Sequence, residues 1–341
     1  ENVNEYAQKT VSYNTYPHNM YDWSERYSKF LKYSVGVEFE VQQGFVPDFM
    51  QFRHGIVICR DGSINGGMEA VTIPLAGSKG LSSLYDLCTY MKDRVVLDIH
   101  CSTHVHLGGF PVERNKIIAL YLLCYKIQDD IFDMLPPYKR YWEGFKRKNY
   151  CKELDSLGII QPSTDDMSTF NKWIERAYSQ IFSFVSDFKQ EIHRYNIGDR
   201  HPAGDKWNIE SRKSWINFVN MFYSRRATIE FRPLQATFNP TKIINWIFIC
   251  NAILTYADIH TNDILTSNKN ITLNQVLNIY TNLNRNDRDG EFLSRYLIQY
   301  VNARKNEFME CFKKKEFACQ WDLDHDKTYD FKWGNKNLFN S

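Results

Sequence analysis

The chain has 341 residues, of which 43% are hydrophobic and 15% aromatic, and its formal net charge is +2. This composition predicts a folded globular protein, and the balanced charge argues against a nucleic-acid-binding surface or an acidic tail for a basic partner. Eight cysteines without a C-x-x-C pair argue against a zinc ribbon or a disulfide framework, and they indicate free thiols in a reducing compartment.

The first ten residues lack the apolar run of a signal peptide, so we expect a cytoplasmic protein. The longest apolar run, 243–257, is interrupted by Asn245 and Asn251 and is too short to span a bilayer, so no membrane partner is expected. We predict an N-terminal arm over 1–32, one domain over 33–314, and a charged and aromatic tail over 315–341.

The stretch 33–42 alternates strictly and predicts a β-strand. Its apolar residues lie on one face and Glu38 and Glu40 on the other, with about 7 Å between the two carboxylate positions. Like charges so close repel, and a divalent cation would neutralise them. The alternative is an edge strand with a solvated acidic face.

Two more strands follow. The first, 55–60, ends in Asp61-Gly62-Ser63, where Asp61 is either a turn-former or a site residue presented at a strand end. The second, 68–74, carries Glu69 as its only charge, and a buried Glu69 would need a partner.

Helical spacing over 78–94 and a short strand over 95–99 precede a second inverted strand, 102–109. There His104 and His106 share one face, an arrangement that can hold a metal or combine a metal ligand with a phosphate contact. Two structural histidines with satisfied hydrogen bonds are the alternative.

A helix over 115–135 ends at Pro136-Pro137. The basic, aromatic stretch 138–163 is interpreted as a solvated connection, with a substrate or nucleotide loop as the alternative. A long helix over 165–195 has an apolar stripe that indicates core packing. We predict a strand over 215–223, a third inverted strand over 226–232, and helices over 241–259, 272–283 and 288–314.

The third inverted strand puts Arg226, Glu230 and Arg232 on its polar face. Carboxylates and imidazoles gathered from the three strands suit two or three Mg²⁺ or Mn²⁺ ions, and arginines beside them suit phosphates. The sequence has no P-loop and no dinucleotide fingerprint. A cysteine nucleophile, Cys59 or Cys101 activated by a histidine, is a further alternative.

Five motifs in order resemble the amidoligase family, which belongs to the carboxylate–amine ligases of glutamine synthetase and glutamate–cysteine ligase type. They are G-V-E-F-E, R-D-G-S, M-E-A-V-T-I-P-L-A-G, T-H-V-H-L and A-T-I-E-F-R-P-L-Q-A-T-F-N-P. The likeness spans residues 35–257, with a helical insertion over about 136–213.

The resemblance implies an α+β fold, a curved antiparallel sheet whose concave face holds the active site, with helices packed on the other face. It implies ATP, two or three divalent metal ions and amide formation through an acyl phosphate. The implied metal ligands are Glu38, Glu40, Glu69, His104 and Glu230. His106, Arg212, Arg226 and Arg232 would contact the nucleotide or substrate; Arg232 would stabilise the transferring phosphoryl group, and Asp61 would bind and deprotonate the amine.

We therefore predict an ATP- and Mg²⁺-dependent ligase. A metal-dependent hydrolase that uses the H-x-H motif and the carboxylates is one alternative, and a non-catalytic binding protein that keeps the fold is another. The expected substrates are small amino acids, peptides or protein side chains, and an oligomer is compatible with the sequence. The insertion and the loop 138–150 are expected to shape the acceptor pocket.

Overall fold

The computed structural model describes residues 24–44, 46–60, 64, 66–97, 99–141, 150–159, 166–184, 210–223, 228–283 and 286–313. Several predicted features lie outside these ranges: Asp61, Arg226, the start of the N-terminal arm, the tail and much of the helical insertion. The rest of the chain has mixed helices and antiparallel strands, which confirms the α+β prediction. The predicted curvature of the sheet and the domain limits stay predictions.

Eight strands within the described residues form two antiparallel sheets. They are β1 (Ser34–Val41), β2 (Gln43–Gly44), β3 (Ile56–Arg60), β4 (Met68–Thr72), β5 (Val95–Val96), β6 (Ser102–Gly108), β7 (Ile216–Asn217) and β8 (Thr228–Gln235). The main sheet has the order β3-β4-β1-β6-β8-β7, and β2 and β5 form a separate pair. The three inverted strands of the prediction, β1, β6 and β8, are therefore adjacent in the middle of one sheet.

Ten α-helices lie within the described ranges. They are α1 (Asp48–His54), α2 (Gly77–Met91), α3 (Arg114–Asp133), α4 (Met167–Phe184), α5 (Val219–Tyr223), α6 (Pro240–Ile259), α7 (Thr261–Thr266), α8 (Leu273–Leu277), α9 (Ile279–Leu283) and α10 (Arg288–Lys313). Short 3₁₀ helices cover Ser28–Phe30, Pro137–Lys139 and Glu210–Lys213.

The apolar face of the main sheet is buried under helices. Val37, Phe39 and Val105 have at most 1% of their surface exposed, and they belong to one cluster with the apolar residues of α2, α3 and α6. Helix α6 contacts β6, α2 and α3 and forms the centre of the helical layer. Burying one face leaves the other face of the three inverted strands to carry their polar side chains.

The two asparagines that interrupt the apolar run of α6 are buried with partners. Asn251 Nδ2 donates to Phe30 O at 3.0 Å and to Tyr280 Oη at 2.9 Å, and its Oδ1 accepts from Lys32 N at 2.9 Å. Asn245 donates to Tyr296 Oη at 3.1 Å. Helix α6 is long and apolar enough to cross a membrane by length and composition alone, but 83% of that window is buried inside the protein, as expected of a core helix.

The predicted strand over 215–223 is wrong for most of its length. Only Ile216–Asn217 is a strand, and Val219–Tyr223 is the helix α5. The reason is local: Asn217 Oδ1 accepts a hydrogen bond from Val219 N at 2.9 Å, which turns the chain out of the sheet into a helix.

Other element boundaries differ less. The helix predicted over 272–283 is two short helices, α8 and α9, and the strand predicted over 95–99 belongs to the small sheet. The apolar stripe predicted for 165–195 is buried in α4 at Ile174, Ala177 and Ile181. The seven described cysteines are all free, as predicted.

Candidate active site

Strand register brings the predicted polar residues onto one face. Residues directly opposite each other in antiparallel strands place their side chains on the same side of the sheet. The register pairs Glu38 with His104, Glu40 with Glu69, and His106 with Glu230. All six side chains therefore emerge from the face opposite the helical layer of α2, α3 and α6.

His104 lies at the centre of the cluster, among three carboxylates. Its Nδ1 is 3.4 Å from Glu38 Oε2 and 3.3 Å from Glu230 Oε1, and its Nε2 is 3.4 Å from Glu40 Oε1. The His104 side chain is 5% exposed, and that of Glu230 is 4% exposed. A buried imidazole ringed by carboxylates is a typical arrangement for a shared cation.

His106 occupies the next position on the same face. Its Nε2 lies 3.1 Å from Glu38 Oε1, and its Nδ1 lies 3.3 Å from Thr228 Oγ1. Gly36 is the residue opposite His106 on β1, so no side chain from β1 competes for this space. Glu38 therefore contacts both histidines, one through each carboxylate oxygen.

Glu230 is held by three donors, two of which the sequence prediction missed. Asn217 Nδ2 donates to Glu230 Oε2 at 2.7 Å, and Asn220 Nδ2 donates to the same oxygen at 3.3 Å. Arg232 Nη1 donates to Glu230 Oε1 at 2.5 Å. β7 pairs Asn217 directly with Glu230, and this pairing gives no signal in the local sequence pattern.

The charges of this cluster stabilise one another. Burial alone would raise the pKa of Glu38, but hydrogen bonds to His104 and His106 outweigh it and hold that pKa well below its usual value. Burial also opposes ionisation of Glu230, yet Arg232 and the two histidines lower its pKa to about 2. Burial disfavours the protonated form of His106, but the contact with Glu38 prevails and raises its pKa.

The donor set fits a hard divalent cation. One ligand atom from each of Glu38, His104 and Glu230 lies within 4.8 Å of the other two. Two carboxylates and one imidazole suit Mg²⁺ or Mn²⁺, and within the described part of the chain no thiol joins them. Glu40 faces His104 from the other side, and Glu69, half-buried, is the cross-strand neighbour of Glu40.

Basic residues lie at one end of the cluster. Arg232 is mostly buried, and Arg212, from the 3₁₀ helix Glu210–Lys213, is half-buried. Burial lowers the pKa of Arg212, and the charges of Glu230, Arg232 and Glu38 also act on it, so its guanidinium is close to the carboxylates. The structure therefore places Arg212 and Arg232 near the carboxylates, and their predicted roles stay predictions.

Lys139 is a further basic residue that sequence reasoning missed, because the stretch that contains it was interpreted as a solvated connection. Its side chain is buried, and its Nζ donates to Ser102 Oγ at 2.6 Å. Ser102 is the first residue of β6 and lies on the same face as His104 and His106. The two consecutive prolines before Tyr138 position the 3₁₀ helix that delivers this lysine.

The cysteine alternative finds little support. Cys59 is exposed on β3, where its cross-strand partner is Glu69, and Cys101 is fully buried in a small apolar cluster with Ile64 and Ala236. The polar partners that the structure gives to the ring nitrogens of His104 and His106 are carboxylates and Thr228. Asp61 and Arg226 lie outside the described residues, so their predicted roles stay predictions.

Comparison with known proteins identifies one family. A family model described as "Putative amidoligase enzyme" matches residues 20–254. A search of curated protein sequences gave no match. Among the solved structures that match is one titled "Crystal structure of novel glutamine synthase homolog", at 10% identity and a TM-score of 0.36, with 91% of this chain and 74% of that chain covered. At that score the structural likeness carries no argument about the site.

Proposed function

The chain belongs to the amidoligase family, and we propose that it is an ATP- and Mg²⁺-dependent ligase that joins a carboxylate to an amine. The observation that carries the proposal is the cluster of Glu38, His104 and Glu230 with Arg232 bound to Glu230. Acidic metal ligands beside a fixed guanidinium are what phosphoryl transfer from a nucleotide requires.

The proposed reaction has two steps. A carboxylate oxygen of the acid substrate attacks the γ-phosphorus of ATP, the bond from that phosphorus to the bridging oxygen breaks, and ADP leaves. The amine nitrogen then attacks the acyl carbon, phosphate leaves with the electrons of the carbon–oxygen bond, and the nitrogen loses a proton to give the amide. No redox partner is needed.

The acidic residues would hold the cations. Glu38, His104 and Glu230 form the best-defined set, and Glu40 and Glu69 provide the oxygens for a second ion beside it. A divalent cation bound there would neutralise the charge of the triphosphate. Asn217 and Asn220 would keep Glu230 in a fixed orientation, since buried amides restrict its carboxylate.

The basic residues would bind the phosphates. Arg232 Nη1 donates a hydrogen bond to Glu230, while Arg232 Nε is buried and has no hydrogen-bond partner among the described residues. A planar guanidinium with N–H donors that have no protein partner can donate hydrogen bonds to the oxygens of a transferring phosphoryl group. His106 and Arg212 are proposed as further contacts to the nucleotide, Arg226 as a contact to phosphate or substrate carboxylate, and Asp61 as the group that receives the amine.

The substrates are proposed by class only. Small amino acids, peptides and protein side chains all supply the carboxylate and amine that the reaction needs, and a cytoplasmic location would supply ATP. The proposal that the insertion over about 136–213 shapes the acceptor pocket predicts that truncating it changes substrate choice while ATP binding persists.

The first experiment is thermal unfolding with ATP and Mg²⁺, with ATP alone and with metal alone. A ligand at a hundredfold excess over its dissociation constant stabilises the native state by about 2.7 kcal/mol. We expect ATP with Mg²⁺ to stabilise the wild-type protein and to leave Glu230→Gln and Glu38→Ala unchanged. Glu307→Gln is the matched control, because it removes a carboxylate that pairs with Arg304 on α10 and leaves the site intact.

The outcome separates the alternatives. Stabilisation by metal alone, with nothing added by ATP, would replace the ligase with a metal-dependent hydrolase that uses the same H-x-H motif. No response to either ligand would indicate a binding protein that keeps the fold. Stabilisation of all variants alike would place nucleotide binding elsewhere.

A further inference from the structure

Lys139 is a buried cation with little to neutralise it. Lys139 is 3% exposed, and the only hydrogen bond of its side chain within the described ranges is from Nζ to the neutral hydroxyl of Ser102 at 2.6 Å. An ammonium group carries three donors, so two of them are unused. No carboxylate of the described residues forms an ion pair with it. A buried charge left in this state is costly, and proteins retain one mainly where a ligand completes it.

Arg232 presents a second set of unused donors at the same end of the site. Its Nε is buried without a hydrogen-bond partner in the described structure, although Nη1 is bound to Glu230. The 3₁₀ helix Pro137–Lys139 packs against β8, the strand that carries Arg232. Burial lowers the pKa of Lys139; Cys151 and Glu40 oppose that effect, and the neighbouring charge of Arg232 reinforces it. Lys139 has no anionic partner among the described residues, and Arg232, although paired with Glu230 through Nη1, has none at Nε.

We propose that Lys139 and Arg232 together form a subsite for a phosphate oxyanion beside the acidic cluster. The ammonium and the guanidinium Nε would each donate to oxygens of one tetrahedral group, and Ser102 would hold the ammonium in position. That this group is the phosphoryl transferred from ATP, later released as phosphate, rests on the proposed function. The subsite itself rests on the two cations.

The local backbone is arranged to keep Lys139 in place. Pro136 precedes the 3₁₀ helix Pro137–Lys139, whose turn is closed by Lys139 N donating to Pro136 O at 2.9 Å. Further along the chain, Lys152 N donates to Lys213 O at 2.7 Å and Trp215 N donates to Lys152 O at 2.8 Å, which ties the segment at 152 to the β7 side of the sheet. A rigid surround limits the reorganisation needed when an anion binds.

The test uses inorganic phosphate as the probe, with Mg²⁺ present and ionic strength held constant. The wild type is compared with Lys139→Met, which keeps the length of the side chain and removes the charge. The control is Lys116→Met, because Lys116 pairs with Asp258 on the helical layer away from the site. We expect Lys139→Met to bind phosphate about 10- to 100-fold more weakly, the range for losing a charge-assisted hydrogen bond, and Lys116→Met to bind as the wild type does.

The stability of the ligand-free protein gives an independent readout. Removing an unneutralised buried charge should leave the melting temperature of Lys139→Met at or above that of the wild type, whereas a structural lysine would lower it. A Lys139→Met protein that melts earlier or fails to fold overturns the proposal. Ser102→Ala is the second variant; it keeps both cations but frees the ammonium, and about fivefold weaker phosphate binding is expected.

Nucleotides distinguish the subsite from the proposed function. If the subsite holds the transferred group, Lys139→Met weakens binding of ATP with Mg²⁺ and leaves ADP with Mg²⁺ unchanged. An equal loss for both nucleotides, or none for ATP and phosphate, overturns the proposal while nucleotide binding by the wild type still supports a ligase. A wild type that binds phosphate through Lys139 but binds no nucleotide keeps the subsite and refutes the ligase. A wild type that binds neither refutes both.

Discussion

Replacing Asn217 tests whether Glu230 is held in position for a metal ion. Asn217 is fully buried and donates to Glu230 Oε2 at 2.7 Å, the shorter of the two amide contacts to that oxygen. Losing a hydrogen bond to a buried charged group costs about 1.5–3 kcal/mol in the free energy of unfolding. Losing the partner that orients a metal ligand typically costs 10- to 100-fold in metal affinity, about 1.4–2.8 kcal/mol.

The change Asn217→Ala should therefore lower both the stability and the affinity for Mn²⁺. Urea unfolding at neutral pH measures the first, and calorimetric titration of Mn²⁺ in the absence of nucleotide measures the second. Asn217 also accepts from Val219 N, so the alanine variant loses the turn that starts α5 as well. Asn217→Ser separates the effects, because a serine oxygen can still accept from Val219 N but is too short to donate to Glu230.

Asn220→Ala is the graded companion. Its contact with Glu230 Oε2 is 3.3 Å long, so its effect on Mn²⁺ affinity should be the smaller of the two. The reasoning is refuted if Asn217→Ser folds and binds Mn²⁺ as tightly as the wild type does. A loss of stability without a loss of affinity would show that Glu230 is a structural carboxylate and not a metal ligand.

Three further predictions concern the rest of the fold. Asn251→Ala leaves Phe30 O, Lys32 N and one contact of Tyr280 unsatisfied, so urea unfolding should show that the free energy of unfolding falls by roughly 3 kcal/mol. The exposed Asn262→Ala should change it very little, and equal urea midpoints for the two variants would contradict the prediction. Gly290→Ala should destabilise α10, because the new Cβ would lie 2.2 Å from Tyr280 O. Without that clash, replacing glycine by alanine usually stabilises a helix by about 1 kcal/mol. The exposed Asn302→Ala on the same helix should not be destabilising, and a rise in melting temperature for Gly290→Ala would disprove the clash. Burial, opposed by Asp86 and reinforced by Arg53 and Arg94, lowers the pKa of His54. Protonation of His54 therefore favours the unfolded state, and the stability should fall as pH drops below about 6.5 towards that lowered pKa. His54→Phe, which keeps an aromatic ring against Tyr90, should lose less stability than the wild type between pH 7.5 and 5.5, and identical losses would refute the assignment.

Local alternation decided which side chains share a face, and this was readable without any structure. Residues two apart on a strand project to the same side whatever the rest of the chain does, so Glu38 and Glu40, and likewise His104 and His106, were placed correctly from spacing alone. The same holds for Glu230 and Arg232 on β8. Helices α2 and α3 were also predictable, since their buried faces follow from a repeating apolar period. Helix α6 has no such period, because it is apolar and buried on nearly every side.

Spacing did not reveal the turn after Asn217. The aromatic and apolar residues around it predicted one long strand, but a single side-chain acceptor on Val219 N was enough to begin α5. A hydrogen bond within three residues competes directly with a sheet ladder, and strand propensity does not count it. The amide that this turn positions is the one that now holds Glu230.

The tertiary structure alone decided how the faces combine. Strand order puts β6 between β1 and β8, which brings His104 between Glu38 and Glu230 although these residues are far apart in the chain. Lys139 reaches the same face from a 3₁₀ helix outside the sheet, and nothing in its own neighbourhood of the sequence predicts that. Alternation is a property of neighbouring peptide units, whereas strand order and the delivery of a side chain from a connecting segment depend on packing between distant parts of the chain.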